Sequence, residues 1–234
     1  MSSLISALRV PALKKPAKAA LIFVHGLGDS GEGWAWLPQL IKQSNIVKDH
    51  DSINYVFPNA PQIPISVNRG YVMPAWFDIY EFGNPNAKQD EAGFLKSCNV
   101  LRDFIKEQIE KYNIPAEKII IGGFSQGAAV SLATVATLDF KIGGVVALSG
   151  FCPIKDSIQK LNKNNNINHN TPIFQGHGTS DPVIMYEYGL KTSEFYKEIG
   201  FDKLQFHTYA GVAHSTNEEE LADLTKFINS ILTD

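Results

Sequence analysis

The stretch Lys118-Ile119-Ile120-Ile121-Gly122-Gly123-Phe124-Ser125-Gln126-Gly127-Ala128 decides the fold. It opens on a short, unbroken β-branched run, the pattern of a strand covered on both faces. It closes on small residues that begin a helix near Ala128. Between them Gly123-x-Ser125-x-Gly127 compresses the reversal of the chain into one sharp turn. A serine held there is strained, exposed and seated at a helix N-terminus, where a developing negative charge is favoured. The five-residue pattern alone recurs by chance; the strand before it and the helix after it give it weight. Without that chemistry, Ser125 would be a helix N-cap following a glycine-rich turn.

Outward from this turn, short apolar runs that end in small residues alternate with longer helical periods. Residues 21–24 empty into His25-Gly26-Leu27-Gly28, and residues 53–57 are closed by Pro58. Residues 145–148 lead into Ser149-Gly150, 173–174 into Gly176-His177-Gly178, and 204–209 into Gly211. Leu101, Ile105, Ile109 and Tyr112 mark one apolar face of a helix over most of residues 91–112. Leu221, Leu224, Ile228 and Ile231 repeat the pattern, with Asn217 as N-cap and Glu218, Glu219 and Glu220 in the first turn, near the positive end of the helix dipole. The alternation predicts an α/β fold with a mostly parallel central sheet flanked by helices, and such sheets bind ligands at the carboxyl ends of their strands. With no internal repeat and no long linker, residues 1–234 read as a single domain.

Composition excludes several classes. Over 234 residues, 44% hydrophobic and 19% charged residues give ample material for a packed core. Twenty-one Lys and Arg against 24 Asp and Glu leave a net charge of −3, which argues against binding to nucleic acid or an anionic membrane. Cys98 and Cys152 have no CxxC partner and no neighbouring metal ligands, so no metal or cofactor is expected. They read as two free thiols in a reducing compartment, with a single disulfide as the other reading. Residues 4–10 are too short, and too broken by Ser6 and Arg9, to form a secretory leader. No apolar run approaches the ~20 residues of a membrane span. The expectation is a soluble protein of the cytoplasm, with the nucleus as a further compartment. Two stretches look irregular: the proline-rich residues 59–74, and residues 156–170, polar throughout and read as a short surface helix followed by a loop.

A serine nucleophile needs a base, and the base needs an orienting carboxylate, which should follow in the order acid then histidine on later strand-end loops. Of the downstream histidines, His169 lies in the asparagine-rich segment, His207 falls inside a strand, and His177 precedes any suitable acid. His214, just past the Gly211 turn and before the last helix, is the candidate base. Asp181 alone among the acids stands immediately after a strand end on the edge that carries Ser125. The oxyanion donors are expected from the backbone N–H of Gln126 and an N–H of the turn after residues 21–24, with Leu27 the candidate. His25 reads as a residue that fixes this turn rather than one that moves a proton.

Several motifs in one order resemble the acyl-protein thioesterases of the phospholipase/carboxylesterase family, serine hydrolases of α/β-hydrolase fold. They are Phe23-Val24-His25-Gly26-Leu27-Gly28-Asp29, Pro58-Asn59-Ala60-Pro61, Met73-Pro74-Ala75-Trp76-Phe77-Asp78, Gly122-Gly123-Phe124-Ser125-Gln126-Gly127, Gly178-Thr179-Ser180-Asp181-Pro182 and Gly211-Val212-Ala213-His214. The resemblance puts the family's catalytic serine, aspartate and histidine on Ser125, Asp181 and His214, and its oxyanion donors on Leu27 and Gln126. The Met-Pro-x-Trp-Phe-Asp form resembles the eukaryotic members and implies fatty-acyl thioesters on protein cysteines as substrates. Carboxylesterase or lysophospholipase activity on oxygen esters is the alternative. The sequence departs from the family pattern at Asn59 and at Val183-Ile184-Met185, beside the acid. Ser2 and Ser3 stand where some animal members carry an acylated cysteine, so no such anchor is expected.

Only about twenty residues follow Gly150 before the next strand, so no large lid domain is expected, and an open site suits an ester mounted on a protein. The loop over residues 63–76 is either a wall for an acyl chain or a packed Ω-type loop. Met73, Trp76 and Val183 are the candidate acyl-binding residues. The expected partners are S-acylated proteins, met transiently at a membrane surface through the substrate, with no nucleic acid and with a weak homodimer as a compatible assembly.

Overall fold

The computed structural model describes residues 5–81 and 87–233. Ser2, Ser3 and Leu4 lie outside the described residues. Seven strands form one sheet: β1 (Ala7–Val10), β2 (Ala19–Val24), β3 (Ile53–Pro58), β6 (Ile119–Phe124), β7 (Gly144–Leu148), β8 (Ile173–Gly178) and β9 (Leu204–Tyr209), in the order β1-β3-β2-β6-β7-β8-β9. Every neighbouring pair is parallel except β1 with β3. A separate hairpin pairs β4 (Gln62–Ile65) with β5 (Tyr71–Pro74).

The central strands are apolar without interruption because both faces are covered. In β2 the side chains of Ala20, Ile22 and Val24 enter one core, and those of Ala19, Leu21 and Phe23 enter the other. The first core is roofed by α2 (Glu91–Tyr112), α3 (Gln126–Thr137), α4 (Lys155–Asn162) and α5 (Tyr186–Glu198); the second by α1 (Leu37–Ser44) and α6 (Glu218–Thr233). Helix α3 is buried almost all round, and its Gly127, Ala128, Ala129 and Ala133 let it lie close against the sheet. Helix α2 begins where the Asp90 carboxylate accepts the Gly93 N–H at 3.0 Å, and ends at Asn113 in the left-handed conformation.

One expectation changes, at residues 59–74, and two segments gain detail. The edge strand β1 was not legible as one: four half-buried residues carry no clear alternation, and pairing with β3 decides their state. The proline-rich stretch 59–74 contains the β4–β5 hairpin, turned by a short 3₁₀ segment and by Arg69 and Gly70 at positive φ. The polar segment after α4 is tied down by its asparagines. Asn162 donates to the Ile199 carbonyl, Asn165 to Leu138 and Asn168 to Phe140, while the Asn168 side-chain oxygen accepts the Ile142 N–H. Both cysteines are free.

Candidate active site

The strand order reverses between β2 and β6. From β2 the chain moves outward to β3, then returns to β6 on the other side of β2 and continues to β9. The turns leaving β2 and β6 therefore sit side by side at the carboxyl edge, the crevice where open α/β sheets place ligands. Val24 pairs with Gly123 in register, bringing the His25–Gly28 turn against Ser125.

Ser125 has φ 55° and ψ −116°, a conformation costly for a residue with a side chain, on the order of 1–3 kcal/mol. The surroundings enforce it. Its N–H donates to the Leu148 carbonyl at 2.9 Å, and its carbonyl accepts from the Ala129 N–H at 3.0 Å. A Cβ at Gly127 would collide with the Val24 carbonyl, and one at Gly123 with Gly127 itself, so the turn closes only with glycine at both places.

Asp181 lies in the turn after β8 with its side chain fully buried. Oδ1 accepts the N–H groups of Val183 and Ile184, each at 2.9 Å, which aims Oδ2 at His214 Nδ1, 2.7 Å away. His214, in the loop between β9 and α6, keeps its side chain 17% exposed and packs against the Phe124 ring with centroids 4.7 Å apart. With Nδ1 donating to the carboxylate, Nε2 is left for proton transfer. Ser125, His214, Leu27 and Gln126 line one cavity of about 750 Å³.

The Gln126 amide is the first N–H of α3, one of the group that has no intrahelical partner. In the facing turn, Gly28 N–H donates to the Pro74 carbonyl and Asp29 N–H to the Gly26 carbonyl. The Leu27 N–H has no partner among the described residues. These two unpaired donors beside Ser125 can receive an oxyanion.

The acyl-binding candidates divide. Val183 lines the cavity and is exposed at its rim. Trp76 does not line it: the ring is buried and its indole N–H donates to the His25 carbonyl at 2.8 Å. Met73 also stands outside it, on the hairpin, where its sulfur accepts from Asn68. The 63–76 loop is thus not the cavity wall. Phe77 and Ile79, just beyond it, form one side, and Phe151, Ile154 and Tyr188 another. No periodicity marks Phe151 and Ile154, because they belong to a loop and a helix start that only the fold brings over Ser125.

His177 was set aside on chain order, yet it lies beneath the acid. Its Nε2 donates to the Ile184 carbonyl at 2.7 Å and lies 3.6 Å from Asp181 Oδ2. Burial lowers its pKa, so it stays neutral and holds the 181–184 loop rather than forming an ion pair. Asn59 fixes the front of the turn, its side-chain oxygen accepting the Gly31 N–H at 2.8 Å. Among the described residues, no cluster of three or more His, Cys, Asp or Glu is placed to hold a metal ion, and no helix is long and apolar enough to cross a membrane.

Comparison with known proteins gives the same fold and a close kinship. The phospholipase/carboxylesterase family model matches residues 6–232. The chain is 67% identical to acyl-protein thioesterase 1 of Debaryomyces hansenii over 232 residues, covering 99% of each. It is 47% identical to the Saccharomyces cerevisiae protein of that name, covering 98% of this chain and all of the relative. Among solved structures, Arabidopsis thaliana SOBER1 superposes with a TM-score of 0.84 at 31% identity, covering 92% of this chain and 99% of that one. Zea mays acyl-protein thioesterase 2 superposes at 0.82 with 25% identity, covering 97% and 99%. The chain belongs to the acyl-protein thioesterases of the phospholipase/carboxylesterase family.

Proposed function

We infer that this protein is a serine hydrolase that removes fatty-acyl groups from protein cysteines through Ser125, His214 and Asp181. The observation that carries the reading is the 2.7 Å hydrogen bond from His214 Nδ1 to a buried Asp181, with His214 lining the same cavity as Ser125 in its strained turn. Ser125 Oγ attacks the thioester carbonyl as His214 Nε2 takes its proton, and Asp181 stabilises the imidazolium that forms. The oxyanion of the tetrahedral intermediate accepts from the Leu27 and Gln126 N–H groups. Collapse expels the cysteine sulfur, which takes the proton back from His214. Water, deprotonated by the same imidazole, then releases the fatty acid and restores Ser125.

The names of the fungal relatives support an acyl-thioester substrate, and so does the cavity, walled by Phe77, Ile79, Phe151 and Ile154 and open enough for an ester carried on a protein. Eight buried methylenes would supply about 6 kcal/mol toward orienting an acyl chain. The enzyme meets a membrane surface transiently, through its lipidated substrate, and needs no metal or cofactor. The two free thiols suit a reducing compartment such as the cytoplasm or nucleus, and a weak homodimer is compatible with the fold.

The test is hydrolysis of a palmitoylated peptide against a lysophospholipid by the purified protein, with fluorophosphonate labelling alongside. We expect labelling at Ser125, thioester cleavage exceeding lysophospholipid cleavage, and neither activity in Ser125→Ala. A folded wild-type protein whose Ser125 stays unlabelled overturns the hydrolase reading; preference for lysophospholipid or for short-chain esters overturns the thioesterase one.

A further inference from the structure

Two side chains that were read for other reasons, His25 and Trp76, are joined in a hydrogen-bonded chain to Gln126 behind the two proposed oxyanion donors. His25 is completely buried. Its Nε2 lies 3.0 Å from the Ala60 N–H, which can only donate, so Nε2 must be the bare nitrogen and Nδ1 must carry the hydrogen. That Nδ1–H donates to the Gly26 carbonyl at 2.7 Å. The His25 carbonyl in turn accepts the Trp76 indole N–H at 2.8 Å. The Gln126 side chain extends the chain: its oxygen accepts the Trp76 backbone N–H and its amide group donates to the Phe77 carbonyl, each at 3.0 Å. Ser97 donates to the Trp76 carbonyl from below.

The Gly26 carbonyl and the Leu27 N–H belong to the same planar trans peptide, so they point in opposite directions. Pulling the carbonyl toward His25 turns the Leu27 N–H the other way. Gly26 itself lies against the nucleophile, since a Cβ built on it would stand 3.4 Å from that of Ser125. We propose that His25 is a positioning residue of the oxyanion hole, whose Nδ1–H sets the Gly26–Leu27 peptide plane and so aims the Leu27 N–H at the reacting carbonyl. Trp76 and the Gln126 side chain hold the spacing between this donor and the Gln126 N–H. Burial lowers the pKa of His25, which keeps the ring neutral and the Ala60 contact intact.

This inference rests on the serine-hydrolase reading, and the wild-type labelling experiment above tests that reading separately. The inference itself is tested in two ways. Nitrogen-15 NMR of the wild-type protein should find His25 as the Nδ1–H tautomer; an Nε2–H tautomer overturns the proposal without any variant. The variants His25→Asn and His25→Gln then separate positioning from packing. Asn places an N–H donor where Nδ1 stands, whereas Gln places its amide where Nε2 stands. With active-site concentration set by fluorophosphonate titration, His25→Gln should lose roughly 100-fold in kcat with KM little changed, as removal of one oxyanion donor does. His25→Asn should recover most of that loss. Equal kcat in the two variants, or a loss confined to KM, overturns the proposal.

Discussion

At the residue scale, the site consists of side chains whose conformations are imposed by neighbours. Ser125 holds its positive φ because Leu148, Ala129 and the two flanking glycines leave the turn no other path. This strain has a measurable consequence. Replacing Ser125 by Ala keeps the strain, whereas replacing it by Gly relieves it at the expense of extra freedom in the unfolded chain. Ser125→Gly should therefore be more stable than Ser125→Ala, by about 1 kcal/mol, in paired thermal or denaturant melts; equal stability would mean that the turn is relaxed. The proposed serine, acid and base could be picked out because spacing and order constrain them. The wider roles of His177, Trp76 and the Gln126 side chain could not be, since each depends on a backbone carbonyl or N–H that no local pattern places, in the next loop for His177 and about fifty residues away for Trp76 and Gln126.

At the scale of elements, α6 illustrates how a helix pattern can be right and still leave the burial of one of its residues undecided. Asn217 caps the helix as expected, accepting the Glu220 N–H at 2.8 Å. Glu218 and Glu219 face solvent, but Glu220 is buried against Gly176 and Tyr209, with one carboxylate oxygen unpartnered. The sequence pattern treated the three glutamates alike; the angle at which α6 crosses the sheet does not. Burial pushes the Glu220 carboxyl up to about 8. A carboxyl whose pKa rises on folding binds its proton more tightly in the native state, so its contribution to stability is present at low pH and is lost as pH rises toward 8. Glu220→Gln, which keeps the shape without the charge, should flatten that dependence. We expect the variant to gain stability over wild type progressively between pH 5 and pH 8, followed by denaturant melts across that range. A parallel pH profile for the two proteins would place the Glu220 carboxylate in contact with water.

At the scale of the whole molecule, the reversal of strand order between β2 and β6 makes the separate motifs one site. It sets the Leu27 turn beside Ser125, while successive parallel strands bring the Asp181 and His214 loops to the same edge. The cavity over that edge is walled by residues from distant parts of the chain, including Ile79 before α2 and Phe151 before α4. Narrowing it should discriminate by substrate length. Ile79→Trp is expected to lower kcat/KM for a palmitoyl thioester several-fold more than for an octanoyl one, since each methylene kept from its apolar site forfeits up to about 0.8 kcal/mol. A uniform change across chain lengths would remove Ile79 from the acyl path.

The sequence by itself determined the α/β class, the long helices and the choice of Ser125, Asp181 and His214 as the proposed triad. Apolar runs, helical periods and the glycines of a tight turn are local properties, and the order of the triad follows from the order of the strands. Tertiary structure alone decided which side chains form the cavity, that Trp76 braces the Leu27 turn instead of lining that cavity, and that Glu220 is buried. Those outcomes depend on how helices and loops cross over a twisted sheet, and on hydrogen bonds to backbone groups whose positions no local pattern encodes.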